Sequence, residues 1–507
     1  MLKNFISPAP DGQIALVCCS PDNLHTTKYN KVDEFPTGFT LIIKPEEELN
    51  VINNHSFEEA VSCGFNVLMY PGSDLDQKWI IYTLRALDIC NSLGVKLIVN
   101  SPILNFQYIE GDKEYKKDWP KSFVEQFVNH PALGGWMIKD EPKYEEWNDL
   151  FQSNLTPDKR NAVSGSITDL NNLPITSNIK PLIRNHKTIS DLDNQHIIYM
   201  NLAVNYDSKW IGSHRDYGEY LDEYINTFNP PLLTFDHYPV TNNSGTDFEV
   251  NRVDFYYYLN LFSEKSKEYE IPFWAHCLCL KHDTGGANYP EPTLGMLRFE
   301  AFSALAFGAQ GIVFWRYKQE YDVFNKIEAG GSISTRKVVC KELAPLNLYG
   351  EKTPLWDILQ QVISEIKGKN DYFYQCKCVD HIIANGSGST TELTGYGNLV
   401  MLKAHTKGVL ITRIETPDQN SKDQYGNPII HKYMVVVNSD PLASQDFELL
   451  YQSSSSTSDN NNIVGTTPGI DTGLHPFKDT DDGNYDGSSE WTRHTLIPGG
   501  CYIWPIG

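Results

Sequence analysis

The sequence predicts an α/β fold, a (β/α)8 TIM barrel followed by a C-terminal antiparallel β-sandwich. Three observations carry this. Between Phe39 and Gly368, eight short apolar runs alternate with helical patterns, as in a parallel βα architecture. After Gly368 the runs shorten, alternate with polar residues and are joined by polar loops, as in Leu399 to Leu402, Gly408 to Ile411 and Tyr433 to Val437. Finally, 507 residues are too many for one simple domain. The expected organisation is an N-terminal segment, 1–35, packed on barrel or sandwich, then a barrel over 36–368 and a sandwich over 369–507.

The first barrel strand is read at Phe39–Ile43 and the second at Phe65–Met69. From Asp76 to Leu93, Ile80, Leu84, Leu87 and Cys90 share one helical face, and Gly94 supplies the C-terminal stop. Val95–Val99 is the third strand. Leu133–Ile138 is the fourth, opened by glycines and apolar enough to be buried on both faces. His196–Met200, Leu232–Phe235 and Pro272–Ala275 are the fifth, sixth and seventh, and a helix over Thr293–Phe307 leads to the eighth, Gly311–Trp315. The strand-like Ile14–Cys18 belongs to the N-terminal segment. The chain closes on a hairpin pattern from Leu496 to Trp504, after the polar low-complexity tract Ser453–Asn462.

A formal charge of −22 without a basic run argues against a long nucleic-acid groove or an anionic-membrane patch. No apolar stretch reaches the roughly 18 residues of a membrane span. Met1 is not followed by a basic-then-apolar leader, so the chain reads as cytoplasmic or as a mature form; an extracytoplasmic setting, periplasmic or secreted, is the expectation. With 10 Trp, 28 Tyr and 23 Phe the chain is rich in the rings that stack on sugars, although packing also uses them. The cysteine spacings, Cys18-Cys19 and Cys376-x-Cys378, are not those of a zinc knuckle.

Barrel enzymes draw their chemistry from the C-terminal ends of the strands. Here those ends carry carboxylates, amides and aromatic rings. The fourth strand runs into Asp140-Glu141-Pro142, and the fifth supplies Asn201, with Tyr206 and Trp210 beyond. The sixth ends in Asp236-His237-Tyr238-Pro239, the seventh gives Trp274 and His276, and the eighth Trp315. Rings pack on the apolar faces of sugars, whereas carboxylates and amides bond to hydroxyls, so the set suits cleavage of a glycosidic bond.

The segments HPALGGWMIKDEP, LLTFDHYPV, IPFWAH and LRFEAFSALAFGAQGIVFW resemble those of clan A glycoside hydrolases, most of all β-galactosidase-like family 42 relatives and nearby polysaccharide-utilisation barrels. The likeness spans roughly residues 36 to 320. It implies a carbohydrate substrate, no cofactor, and Glu141 as general acid/base at the end of strand four. The chain departs from the clan's pattern twice. Asp140 stands where the clan has Asn, and strand seven lacks the clan's nucleophilic Glu. Asp236 leads as the second carboxylate by strand position, with Asp140 and Glu291 behind it and Asp283 in the same loop as Glu291. Retaining, inverting and substrate-assisted mechanisms all stay open, the last using Asp140 beside Glu141 to orient an N-acetylated sugar. Asn201, Tyr206, His237, Tyr238, Trp274, His276 and Trp315 are the expected pocket lining. The rival reading is a glycan-binding barrel that has lost its nucleophile.

Other signals have plainer readings. Lys139 reads as a counter-ion, and regular alternation would put it on the side of Glu141, opposite Asp140. His237, His276 and His282 form no metal motif, and no metal is expected. His237 and His276 read equally as hydroxyl contacts or as packed strand ends. Glu291-Pro292-Thr293 suits a helix lead better than catalysis, because Thr293 is a good N-cap. Asp482-x-Asn484-x-Asp486-Gly487 opens like a calcium loop, but Arg493 stands where a bidentate Glu is needed.

Overall fold

The computed structural model describes residues 7–21, 27–28, 39–43, 54–70, 79–101, 104, 119–147, 181–204, 211–212, 214–242, 248–283, 287–319, 321–327, 333–340, 342–347, 350–452 and 489–506. Tyr206, Trp210, the Ser453–Asn462 tract and residues 482–488 of the calcium-like segment lie outside them.

Short apolar runs bounded by turns close into a parallel barrel, because each is buried on two faces and its helical crossover covers the outer one. The staves are β1 (Ala15–Cys19), β2 (Val67–Tyr70), β3 (Lys96–Asn100), β4 (Leu133–Asp140), β5 (Ile197–Ala203), β6 (Leu233–Asp236), β7 (Phe273–Leu278) and β8 (Gly311–Trp315). They pair in chain order, and β1 closes on β8 through the register Ala15 to Gly311 and Val17 to Val313. Helices wrap the wall, among them α1 (Asn54–Cys63), α2 (Trp79–Leu93), α3 (Trp119–Phe127), α4 (Pro181–Leu192), α5 (Tyr217–Phe228), α6 (Arg252–Tyr269), α7 (Leu294–Ala306) and α8 (Pro354–Lys367).

One sequence expectation is corrected. The first stave is Ala15–Cys19, so the barrel begins inside the 1–35 segment rather than at residue 36. Phe39–Ile43 instead edges a separate four-stranded sheet with Thr27–Lys28, Tyr321–Ile327 and Ile333–Cys340. Those segments follow β1 and β8, so that sheet is attached at the ends of the staves where chemistry is sought.

The barrel interior is a cluster of alternate residues: Ala15, Val17, Val67, Met69, Ile98, Met137, Ile197, Tyr199, Trp274 and Val313 are among its members. Two glycines fit the large ones in. A Cβ on Gly311 would stand 2.6 Å from the indole of Trp274, and one on Gly135 would stand 2.4 Å from Ile197. The outer faces join the helices in one continuous core. There Trp136 donates its indole N–H to Asp193 at 2.7 Å and so ties β4 to the end of α4.

Two antiparallel sheets follow. One holds Lys377–Ala384, Val409–Lys422, Pro428–Asn438 and Cys501–Pro505, the other Ser387–Glu392, Leu399–His405, Gln445–Gln452 and Ser489–Leu496. Their facing sides enclose Leu402, Ile411, Met434, Val436, Phe447 and Trp504, the filling of a β-sandwich. The first sheet's other side packs on the barrel against α7, which is buried all round. Hydrogen bonds join the two parts, including Tyr256 Oη to Ser439 Oγ at 2.8 Å and Lys267 Nζ to Cys378 O at 2.9 Å. Nine described cysteines are buried and form no disulfide. No described helix is long and apolar enough to cross a membrane.

Candidate functional site

The geometry of the site starts with a defect in β4. Along the β4–β5 ladder Met137 is level with Tyr199, but Lys139 is level with Met200 and Asp140 with Asn201. Two steps on β4 therefore match one on β5, a β-bulge that reverses the side-chain alternation beyond it. Met137 and Tyr199 face the interior. Asp140 then turns inward beside Asn201, and Lys139 turns out to meet Glu146 at 3.0 Å. Regular alternation had the two the other way round.

Asn201 is almost wholly buried, and its amide holds two carboxylates together. Its Nδ2 donates to Asp140 Oδ1 at 3.0 Å and to Asp236 Oδ1 at 3.0 Å. Two acceptors along the two N–H directions of one amide stand about 5 Å apart. Glu141 completes the group. Its backbone N–H donates to the carbonyl of Asn201 at 2.9 Å, and its carboxyl is hydrogen-bonded to that of Asp236. Glu141 has a φ of 43°, in the left-handed region that a residue with a Cβ rarely occupies.

Crowding sets the protonation. Burial, then the charges of Glu141 and Asp140, push the Asp236 carboxyl well above the usual range, against the Asn201 bond. Asp140 rises through burial, offset by Asn201 and by the charges of Lys139 and Arg316. Asp140 is nonetheless open to solvent. A carboxyl that solvent reaches at a stave end stands where a ligand can reach it too.

Within the barrel, Thr234 Oγ1 donates to Tyr199 Oη at 3.0 Å, and Tyr199 Oη lies 2.6 Å from His276 Nε2. Burial lowers His276 to about 3, so it stays neutral and accepts the tyrosine proton. It supports the interior rather than facing ligand.

One wall beside the carboxyls is aromatic. Tyr238 stacks near Trp315 with ring centroids 6.2 Å apart, Tyr289 meets Tyr238 edge-on at 5.6 Å, and His282 meets Trp315 at 5.1 Å. Tyr289 and His282 sit on a small hairpin, His282–Asp283 with Asn288–Tyr289, and Asn242 N–H donates to Asn288 O at 2.7 Å to brace it. Arg316 lies over Trp315 at 4.6 Å and pairs with Glu342.

Besides His276, three expected residues fall elsewhere. Trp274 is fully buried against Gly311 on the barrel floor and lines no pocket. His237 packs on Phe255 and Tyr258 of α6, and burial lowers it to about 4, so it is a packed strand end. Glu291 is exposed, two residues before Thr293, whose hydroxyl caps α7 by accepting from Met296 N–H. It is no partner of the carboxyl group; the charges that bear most on Asp236 are those of Glu141 and Asp140. Sequence reading missed Tyr289 as a wall residue, since the one signal for it was an aromatic ring in the loop after stave seven. Among the described residues no group of three or more His, Cys, Asp or Glu is arranged to hold a metal ion.

Fold and site together define a (β/α)8 barrel with a carboxyl cluster at its C-terminal mouth. No protein-family model and no curated protein matches the chain. Solved structures that it is similar to are glycoside hydrolases at low identity. A β-galactosidase from the psychrophilic Marinomonas ef1 is 12% identical over 70% of this chain and 60% of its own, with a TM-score of 0.39. An endo-alpha-mannosidase from Bacteroides thetaiotaomicron is 12% identical over 71% of this chain and 97% of its own, at 0.36. An endo-1,4-beta-mannanase from Eisenia fetida is 9% identical over 62% and 83%, at 0.33. This chain thus spans less than two thirds of the galactosidase's length.

Proposed function

We propose that this protein is a glycoside hydrolase in which Glu141 is the general acid/base and Asp236 the carboxyl that shares its proton. The observation that carries the reading is the meeting of Asp140, Glu141 and Asp236, from two strand ends, around one buried amide. Like charges this close do not all ionise, so the cluster retains a proton at neutral pH. A retained proton is what the departing glycosidic oxygen needs, and water at the mouth supplies the second reactant. Tyr238, Tyr289 and Trp315 offer an apolar wall of the kind on which a sugar face packs. The family 42 likeness of the four segments points the same way.

The other reading, a non-catalytic glycan binder, draws on stave seven, whose inward positions near the mouth are His276 and Leu278 rather than a carboxylate. A panel of aryl glycosides and oligosaccharides, incubated with wild type and Glu141→Gln, separates the two. Turnover by wild type and its loss in the variant support hydrolysis. Binding of a glycan with no turnover of any member by wild type sinks the enzyme reading.

A further inference from the structure

The carboxyl cluster occupies the C-terminal mouth of the barrel. A second depression lies at the opposite end of the staves, where the chain leaves the barrel for the sandwich. It is a cavity of about 310 Å³ between the starts of β1 and β2 and the end of α8. We infer that this cavity binds a small hydroxylated monoanion, of the kind of a sugar acid, with Lys367 as its cationic contact. The inference stands apart from the glycosidase reading.

Two amides pin the cavity's edge. Asn66 accepts the N–H of Leu16 at 2.8 Å and donates to Ile14 O at 2.9 Å and Gln13 Oε1 at 3.2 Å. Asn370 accepts the N–H of Ile14 at 3.0 Å and donates to Gly12 O at 2.8 Å. The start of β1 is thus held from both sides, and a site framed this way is pre-organised. The polar groups left over are chiefly donors. They are Gln13 Nε2, the second N–H of Asn370, and Lys367 Nζ, which makes no hydrogen bond or ion pair with a described residue.

Charge sets the ligand class. In a chain of net charge −22, Lys367 has no carboxylate within ion-pair reach among the described residues. Burial works against the Lys265 ammonium as well, yet Asp222 and Glu268 outweigh it and raise that group. Burial lowers Lys367, and no anion offsets it. A carboxylate bound beside Lys367 supplies that missing charge and takes the free N–H donors. Asp371 lines the same cavity and makes no ion pair with a described residue. It accepts from hydroxyls and repels a second negative charge, which selects a monoanion over a phosphate. Ile14, Leu16 and Ile366 give the lining an apolar part for C–H groups. Ligand pockets run from about 300 to 1,000 Å³, so this one takes a molecule of one ring rather than a chain.

Isothermal titration of the full chain at low salt tests this, with sodium D-glucuronate, D-glucose and D-glucose 6-phosphate as probes. The expected result is saturable one-site binding of glucuronate, about ten-fold or more tighter than either other sugar. Lys367→Met should weaken it by about ten-fold or more, and Lys367→Arg, which keeps the charge, should retain it. Asp371→Asn should narrow the gap between glucuronate and glucose 6-phosphate. No saturable binding of glucuronate by wild type overturns the inference. Equal binding by Lys367→Met also overturns it, because the anion then sits elsewhere. Glucose binding as tightly as glucuronate removes the role of charge, and an unchanged gap in Asp371→Asn removes the selection for a monoanion. The cavity and the carboxyl cluster lie at opposite ends of the staves, so Lys367→Met leaves any glycoside turnover at the wild-type rate. Failure of this inference and failure of the glycosidase reading are therefore separate results.

Discussion

Asn201 Nδ2 lies 3.0 Å from Asp140 Oδ1, and the same nitrogen lies 3.0 Å from Asp236 Oδ1. This neutral amide holds the two carboxyl side chains to one nitrogen. Replacing it with an isosteric hydrocarbon, Asn201→Leu, removes both N–H bonds and leaves the carboxyls facing an apolar group. Removing one positioned donor typically costs about 10²–10³ in rate, so kcat/KM should fall at least that far. The Asn201 bonds lower both acids, so their loss raises them. Activity that needs an ionised carboxyl in this cluster disappears as pH falls through its pKa, and the acid limb of the pH–rate profile should move to higher pH. A variant with the wild-type limb would show that the amide does not hold the charges.

Glu141 sits at φ 43°, and its carboxyl is crowded by Asp236. Both features cost stability, on the order of 1 kcal/mol for the backbone alone. Asn enters the left-handed region more readily and carries no charge. Glu141→Asn should therefore melt above wild type while losing turnover, and calorimetry of the two proteins at pH 7 checks it. A lower melting temperature would mean that the local strain is absent.

Glu300, on α7, fills a gap in the wall. The β6–β7 ladder stops at Ala275, which leaves the N–H of Leu278 without a strand partner, and Glu300 Oε2 accepts it at 2.8 Å. Burial raises this carboxyl from 4.5 to about 8, against the Leu278 bond. A group with a raised folded pKa binds its proton more tightly folded than unfolded. Its contribution to stability is complete below about 4.5 and is lost as pH rises through about 8. Glu300→Gln keeps an acceptor for Leu278 and does not titrate. Its melting temperature relative to wild type should climb between pH 5 and pH 9, and a constant difference across that window would contradict the assignment.

Gly311 admits the indole of Trp274 to the barrel floor, where a Cβ would stand 2.6 Å from Nε1. Gly311→Ala should destabilise by about 1–3 kcal/mol through overpacking, read as a lower urea midpoint with an unchanged m-value. An unaltered midpoint would mean that the floor has slack.

Seven of the eight staves were legible because each is an apolar run framed by turn residues and followed by a helical pattern. The first was not. Ala15–Cys19 and Phe39–Ile43 are both five-residue apolar strands, and periodicity does not say which one meets β8. In the site, Asp140, Glu141, Asn201 and Asp236 were visible as polar residues ending buried strands. The inward turn of Asp140 was not, because a one-residue bulge inverts a period-two pattern without leaving a mark in composition. Trp274 shows the converse error: its position on a strand was right, but its depth follows from Gly311 on a different stave.

The central claim is that Glu141 delivers the proton to a departing glycosidic oxygen. Rates for Glu141→Gln across aryl glycosides of one sugar with graded leaving-group acidity test it most directly. Protonation matters little to a dinitrophenolate and greatly to a poor leaving group such as an alkyl alcohol. The account predicts near-wild-type bond cleavage for the dinitrophenyl glycoside and a loss of about 10²–10⁴ for the poorest leaving groups. An equal loss across the whole series would contradict it.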